Sequence, residues 1–285
     1  MELDFELING YKYQDKPYKS VTLMKLNGTG EKIITTRLPE KPYTYISYIL
    51  AASIKEIEDL SIASKARAQY IEDDKIAVPL ALLHMPMAEA ATCLLEIHRK
   101  LWKSTVKDQK CYCSNCGGTF ITDVDLNRVD LPEKEAEKIV PFRETIEVKL
   151  PEGWEYVAPK LPNNQESEYA AYDGIVFTHM EFRVPTLGNA IQFEKIASRD
   201  VEFWRQIARH TLFRVYNDKV ELPQPAFTGL GIKLFDSILY SEDLIAIRSA
   251  LRDSIPSIGF WYNETCPHCH RETPITLEGN GFFPS

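Results

Sequence analysis

The chain has 285 residues, of which 44% are hydrophobic and 26% charged, as is typical of a globular protein with a substantial core. Its formal net charge is -8 and its runs of Lys and Arg are short, so nucleic acid is not expected as the main partner. No stretch approaches the roughly 18 consecutive apolar residues that cross a bilayer, and the N-terminal residues lack the features of a secretory signal. We therefore expect a protein without a membrane span that is made and kept in the cytoplasm.

Residues 1–40 are predicted to form a β region. Two strand-like runs, at 20–26 and 32–36, flank the dipeptide Asn27-Gly28. This dipeptide is typical of β-hairpin turns. The pattern predicts an N-terminal hairpin with its turn at Asn27.

Residues 41–105 are predicted to form a helical region. Apolar residues recur three and four positions apart in 45–60 and again between Pro86 and Trp102, as one buried helix face requires. His98 lies on the apolar face of the second helix, where it could act as a metal ligand or a base. A core histidine with one satisfied hydrogen bond is the interpretation we favour.

The middle of the chain contains a cysteine-rich segment and a long insertion. Segment 106–130 holds the first Cys-x-x-Cys pair, followed by alternating apolar residues typical of a strand. Segment 131–185 is predicted to be an insertion with strands at 145–150 and 175–184. An exposed connection at 159–167 is the candidate domain boundary.

The last third is predicted to be helical and then to end in a second cysteine pair. Segment 186–255 contains the pattern of a long helix at 190–216 and of two short helices, at 235–239 and 244–251. Segment 256–285 contains the second pair and a C-terminal strand. The predicted fold class is α+β, a helical body with an N-terminal β-hairpin region.

Two Cys-x-x-Cys pairs predict a metal site. Cys113 and Cys116 form the first pair, and Cys266 and Cys269 form the second. In a reducing compartment paired cysteines hold metal more often than they form disulfides. Each tight turn, here called a knuckle, offers two thiolates, and a structural Zn²⁺ takes four ligands in a tetrahedron. With strands around both knuckles, we expect one structural zinc per chain in a split zinc ribbon that closes the long insertion.

Neighbouring residues leave the ligand set open. Cys111 could replace Cys113 or exchange with it after oxidation, and His268 or His270 could also serve as ligands. His270 follows the second knuckle, where glycine is commoner. Two separate zinc ions, each completed by histidines, are a further alternative. Cys93 lies in the middle of a predicted helix and is expected to be a small buried apolar residue.

No residue pattern points to catalysis. Thioredoxin-type chemistry needs a Cys-x-x-Cys at a helix N-terminus, whereas strand-like sequence follows both pairs. Four cysteine ligands leave no open coordination position for a catalytic zinc. The sequence lacks G-x-S-x-G, a phosphate-binding glycine loop and H-E-x-x-H. We expect a non-enzymatic protein without catalytic residues or a small-molecule substrate; a metalloenzyme would need a non-cysteine ligand and a bound water.

Several short motifs carry a resemblance to one family. In chain order they are Ile57-Glu-Asp-Leu60, Glu96 to Trp102, Cys111-x-Cys113-x-x-Cys116 before Asp123-Val-Asp-Leu126, and Cys266-x-x-Cys269 before Gly281-Phe-Phe-Pro284. Over residues 20–130 and 186–285 this order resembles the baseplate hub assembly proteins, or baseplate chaperones, of T4-type contractile-tailed phages. The four knuckle cysteines match the family's cysteine pattern. Cys111 and the 131–173 insertion depart from the family's pattern.

The resemblance implies a protein of tail baseplate assembly that acts through contacts with baseplate hub or tail proteins. It would work in the host cytoplasm, as an assembly factor, or remain in the virion. Phe282 and Phe283 also favour an interaction protein, folded back on the ribbon or docked in a partner. The alternative is a zinc-ribbon accessory factor that binds nucleic acid in transcription or replication. Acidic residues of the predicted ribbon argue against it, namely Asp123, Asp125, Asp130 and Glu278.

Overall fold

A computed structural model describes residues 3–26, 28–35, 40–62, 70–71, 75–76, 78–102, 104–129, 136–160, 167–231, 233–253 and 261–276. The strands are β1 (Asp4–Tyr13), β2 (Lys16–Leu23), β3 (Ile54–Ile57), β4 (Leu60–Ser61), β5 (Tyr70–Ile71), β6 (Lys75–Ile76), β7 (Thr105–Tyr112), β8 (Thr119–Asp125), β9 (Thr145–Glu155), β10 (Val176–Arg183), β11 (Leu212–Tyr216), β12 (Trp261–Thr265) and β13 (Glu272–Thr276). The α-helices are α1 (Gly28–Thr35), α2 (Pro42–Ser53), α3 (Leu80–Leu83), α4 (Met87–Ile97), α5 (Leu187–Phe193), α6 (Asp200–Thr211), α7 (Gln224–Thr228) and α8 (Ser241–Asp253). The predicted mixture of helices and strands is confirmed. Among the helices so described, none has the length and apolar character that a bilayer span requires.

The chain divides into two compact units. The first comprises Met1–Phe142, Thr186–Glu194 and Ile255–Ser285, and the second comprises Arg143–Pro185 and Lys195–Ser254. The second unit is therefore inserted into the sequence of the first, and both knuckles belong to the first. The connection predicted at 159–167 falls within the range of the second unit, and 161–166 lie outside the described residues. The finer division into six segments stays a prediction.

An N-terminal β-hairpin is confirmed, but its turn lies earlier than predicted. β1 and β2 pair antiparallel around Gln14 and Asp15, whose φ angles of 51° and 60° suit a two-residue hairpin turn. The strand predicted at 32–36 is wrong, because 28–35 form α1, which packs on α2. β2 pairs with β1 on one side and with β3 on the other, so neither edge of β2 is open to a further strand. Asn27 lies outside the described residues.

The helix predicted at 45–60 is confirmed up to Ser53 and is wrong beyond it. α2 ends at Ser53, and Ile54 leaves helical geometry with φ -87° and ψ 123°. The next residues form β3, in which Ile54 and Ile57 are fully buried and pair with Leu23 and Val21 of β2. β-Branched residues fit such a pleated, buried position, and this packing overrides the helical spacing.

The helix predicted at 190–216 is wrong as one element. It divides into α5, a 3-10 turn at Glu194–Ile196, α6 and β11. β11 pairs with β10, so its residues follow the period of a strand. The helix predicted from Pro86 to Trp102 is confirmed as α4 with a π-helical turn at His98–Trp102.

The second unit is built on a three-stranded antiparallel sheet in the order β11-β10-β9. The predicted strands at 145–150 and 175–184 are confirmed as parts of β9 and β10. Met180 pairs with Val148 and Val215, and all three are buried. α8 packs against β9 and α6. The two short helices predicted there are confirmed as a π-helical turn at Leu234–Ile238 and as α8.

The first unit is built on a four-stranded sheet, β1-β2-β3-β4, with α2 and α4 contributing to the core. His98 is 2% exposed and Cys93 is fully buried, as predicted for core residues. The same core continues into the knuckle hairpins. Its members there include Val106, Cys111, Cys113, Phe120, Val124 and Cys266.

Candidate metal centre

The first knuckle is the turn between β7 and β8. Cys111 pairs with Phe120, and both point into the core together with Val106 and Val124. Strand pairing stops after Tyr112, and the chain reverses through Cys113 to Gly118. The N–H of Gly117 donates to the carbonyl of Cys113, and the N–H of Cys113 donates to the carbonyl of Gly118, each at 2.9 Å.

The second knuckle repeats this geometry between β12 and β13. The N–H of His270 donates to the carbonyl of Cys266, and the N–H of Cys266 donates to the carbonyl of Arg271, each at 2.9 Å. Gly117 and His270 hold the same position after their knuckles and share a left-handed backbone, with φ angles of 72° and 57°. The strands predicted around both knuckles are confirmed.

The two turns meet at their cysteines. The Sγ atoms of Cys113 and Cys269 are 3.8 Å apart, and those of Cys116 and Cys266 are also 3.8 Å apart. All four sulfurs lie within 4.8 Å of one another. The first cysteine of each knuckle therefore faces the second cysteine of the other, an arrangement with approximate twofold symmetry.

These distances fit a tetrahedral metal ion. With metal–sulfur bonds of about 2.3 Å, the edge of a regular tetrahedron is about 3.8 Å. A disulfide would require about 2.05 Å, so the sulfurs are not bonded to each other. The four cysteines are consistent with one metal site, and four thiolates are the donors that zinc and iron sites of this geometry use.

Backbone amides stabilise negative charge on the sulfurs. Burial opposes ionisation of Cys113, but the N–H groups of Cys116 and Asn115 donate to its sulfur and hold its pKa at about 6. The N–H of Gly118 likewise favours the Cys116 thiolate, whereas desolvation and the three neighbouring thiols raise the pKa of Cys116 to about 11. Thiols this close cannot all ionise alone, and a bound cation would displace the remaining protons.

Side chains in equivalent positions of the two knuckles also join them away from the sulfurs. Asn115 donates from Nδ2 to the carbonyl of Glu272 at 2.9 Å, and His268 donates from Nε2 to the carbonyl of Thr119 at 3.1 Å. Asn115 and His268 hold the same position in their knuckles, and each acceptor is the first residue of the strand after the opposite knuckle. A Cβ on Gly118 would lie 2.8 Å from Cδ2 of His268, so this glycine makes room for the imidazole.

The alternative ligands lie elsewhere. Within the described residues, the sulfur group contains neither Cys111 nor a histidine. The Cys111 thiol donates to the carbonyl of Gln109 at 3.5 Å, and burial raises its pKa, so it stays protonated. His268 uses Nε2 for Thr119, and His270 is exposed.

Two arginines hold the hairpins in place. Arg128, just after β8, donates to Glu264 at 3.3 Å and to the carbonyl of Asn263 at 3.2 Å on β12. Arg99, in the π-helical turn that follows α4, donates to the carbonyls of Leu126 and Val129. The first hairpin is thereby tied to α4 on one side and to the second hairpin on the other.

Sequence reasoning singled out the four cysteines that the structure brings together, but it missed Asn115, His268 as a hydrogen-bond donor, Gly118 and Arg128. The matching positions of Asn115 and His268 within their knuckles were the only signal for two of these residues. No protein-family model, curated protein or solved structure matches this chain.

Proposed function

We propose that the chain is a non-enzymatic protein stabilised by one structural Zn²⁺ per chain. The ion joins the two knuckles of a split zinc ribbon and is bound by Cys113, Cys116, Cys266 and Cys269. The observation that carries the proposal is the pair of 3.8 Å sulfur contacts between the knuckles. These match the edge of a zinc–thiolate tetrahedron. Four thiolates fill the coordination sphere and leave no position for a reactive water.

The experiment is metal analysis of the purified protein beside Cys113→Ser and Cys266→Ser, with Cys111→Ser as the matched control. We expect one zinc per chain in the wild type and in Cys111→Ser. Either knuckle variant should lose the zinc together with thermal stability, because site formation and folding are coupled. Retention of zinc by both knuckle variants would refute the site, and a coloured, redox-active protein would assign the sulfurs to iron.

For its biological role, we propose assembly of a phage tail baseplate, as an assembly factor or as a structural subunit. Support comes from the motif order at Glu96 to Trp102, Cys113 to Leu126 and Cys266 to Pro284 that resembles baseplate hub assembly proteins. Its partners would be baseplate hub or tail proteins, met in the host cytoplasm or in the virion. Affinity purification of the tagged chain from infected bacteria should recover tail proteins, and recovery of none would contradict this role.

One observation favours a second candidate function, a nucleic-acid accessory factor. On the exposed face of the β7–β8 hairpin, Tyr112 is 63% exposed and Ile121 is 69% exposed, with Lys110 paired opposite Ile121. Asp123, which made the predicted ribbon acidic, forms an ion pair with Lys107 at 2.5 Å. Salt-dependent binding of single-stranded DNA or RNA that is lost in Tyr112→Ala would support this function.

A further inference from the structure

An apolar groove runs between two helices of the second unit. α6 contributes Val201, Trp204 and Ala208, and α8 contributes Leu244, Ile245 and Arg248. The residues from α6 recur three and four positions apart, so they form one face of that helix. Val201 and Ile245 are 53% and 54% exposed on the walls of the groove. Exposed apolar side chains that line one groove, and do not lie singly on the surface, are typical of interaction sites.

The size of the groove indicates what fits it. Its volume is about 190 Å³. Sites for cofactors and drug-sized ligands measure roughly 300–1,000 Å³, so this groove is too small for them. A single bulky side chain from another polypeptide is a better match, and a single buried anchor of this kind dominates many protein interfaces.

The charges around the groove select the partner. Arg205 also lines it, but its guanidinium is held by Glu202 and Asp236, each at 3.3 Å. In the part of the chain that the structure describes, Arg248 has no carboxylate within ion-pair distance. The residues lining the groove include no acidic side chain. Arg248 is half-buried beside an apolar pocket and has no carboxylate partner among the described residues, so it is complementary to a carboxylate next to an apolar residue.

We propose that this groove docks an acidic peptide segment of a partner protein, with one bulky apolar side chain between α6 and α8 and a flanking Asp or Glu paired with Arg248. The inference deepens the proposed function, since it rests on the chain acting through protein contacts. The groove lies in the second unit, whereas the sulfur site lies in the first. The two proposals can therefore fail separately.

The test starts from the full-length, zinc-loaded protein and a random-peptide display library. Enriched peptides should combine a bulky apolar residue with a nearby Asp or Glu. With a synthetic, fluorescently labelled peptide of that kind, Arg248→Glu should weaken binding about tenfold, and Ile245→Asp should do the same. Changing the peptide's acidic residue to Lys should restore binding to Arg248→Glu.

Arg252→Glu is the matched control, because Arg252 lies one turn further along α8, outside the groove, and pairs with Asp253. It should bind the peptide like the wild type. The proposal is overturned if no peptide is enriched, if Arg248→Glu binds as tightly as the wild type, or if decanoate binds the groove and no peptide does. Zinc content should be unchanged in every groove variant, while peptide binding by Cys113→Ser would show that docking does not depend on the metal.

Discussion

Two residues in equivalent positions share an unusual backbone but differ in side chain. Gly117 follows the first knuckle with φ 72°, and His270 follows the second with φ 57°. A residue with a Cβ pays about 1–2 kcal/mol for this left-handed conformation, whereas glycine adopts it freely.

We expect His270→Gly to stabilise the metal-bound protein by up to about 1 kcal/mol and Gly117→Ala to destabilise it by about the same amount. Denaturant unfolding of the zinc-loaded variants measures both changes. Gly28→Ala is the control, since a Cβ there meets no atom within 4 Å and its φ lies outside the left-handed range. No change in either knuckle variant, or a change of the same sign in both, would show that the backbone conformation does not limit stability.

Asn115 and His268 each make a hydrogen bond from one knuckle to the opposite hairpin, and single substitutions can test these bonds. Each joins one knuckle to the strand that follows the other. We expect Asn115→Ala and His268→Ala each to cost about 1 kcal/mol of stability. Both variants should keep one zinc per chain, since neither side chain is a ligand, but should release it faster to a chelator.

The measurement is the rate of zinc transfer to a colorimetric chelator. His210→Ala removes an exposed imidazole from the second unit and should leave the rate unchanged. A loss of bound zinc in His268→Ala would instead make His268 a ligand, contrary to its geometry.

Among the elements, α4 and β1 are joined by one buried carboxylate. β1 is out of register with β2 between Glu6 and Tyr11, so the amides of Ile8 and Asn9 need another acceptor. Glu89 of α4 accepts both, at 3.0 Å and 2.7 Å, and is 1% exposed. The carboxylate therefore completes the hydrogen bonding of the irregular segment of β1.

We expect Glu89→Gln to destabilise the protein by about 1–3 kcal/mol, because its NH₂ group would face one of the two amide donors. Burial raises the pKa of Glu89 above its usual 4.5, although the amide donors oppose the shift. The wild type thus gains stability from this group below pH 4.5 and loses it as pH rises through the raised pKa. The stability difference between wild type and Glu89→Gln, measured by denaturant unfolding across pH, should shrink in that direction.

Local patterns predicted the elements that depend on local spacing. Both knuckles, α4 and the short helices of the second unit follow from residues close together in sequence. Two strands, Ile54–Ile57 and Leu212–Tyr216, could not be predicted in this way. Their partner strands lie elsewhere in the chain, and their apolar spacing alone also fits a helix. In the site, Asn115 and Arg128 were missed since their acceptors lie more than a hundred positions away.

For the whole molecule, the metal would join two hairpins that the sequence of the second unit separates along the chain. Cys116 and Cys266 are 150 positions apart. Closing a flexible loop of that length costs roughly 4 kcal/mol in chain entropy. A structural zinc contributes about 10–16 kcal/mol at neutral pH, so metal binding more than offsets the closure.

We expect removal of the metal by a strong chelator to loosen the first unit selectively. Amide hydrogen exchange should accelerate in β7, β8, β12 and β13, because their turns lose the ion that joins them. β9, β10 and β11 carry no ligand and belong to the second unit, so their exchange should change little. Readdition of zinc is the control and should restore protection in all four hairpin strands. Equal acceleration in both units would mean that the metal site stabilises the entire chain. No acceleration in either unit would mean that the four sulfurs need no metal to stay together.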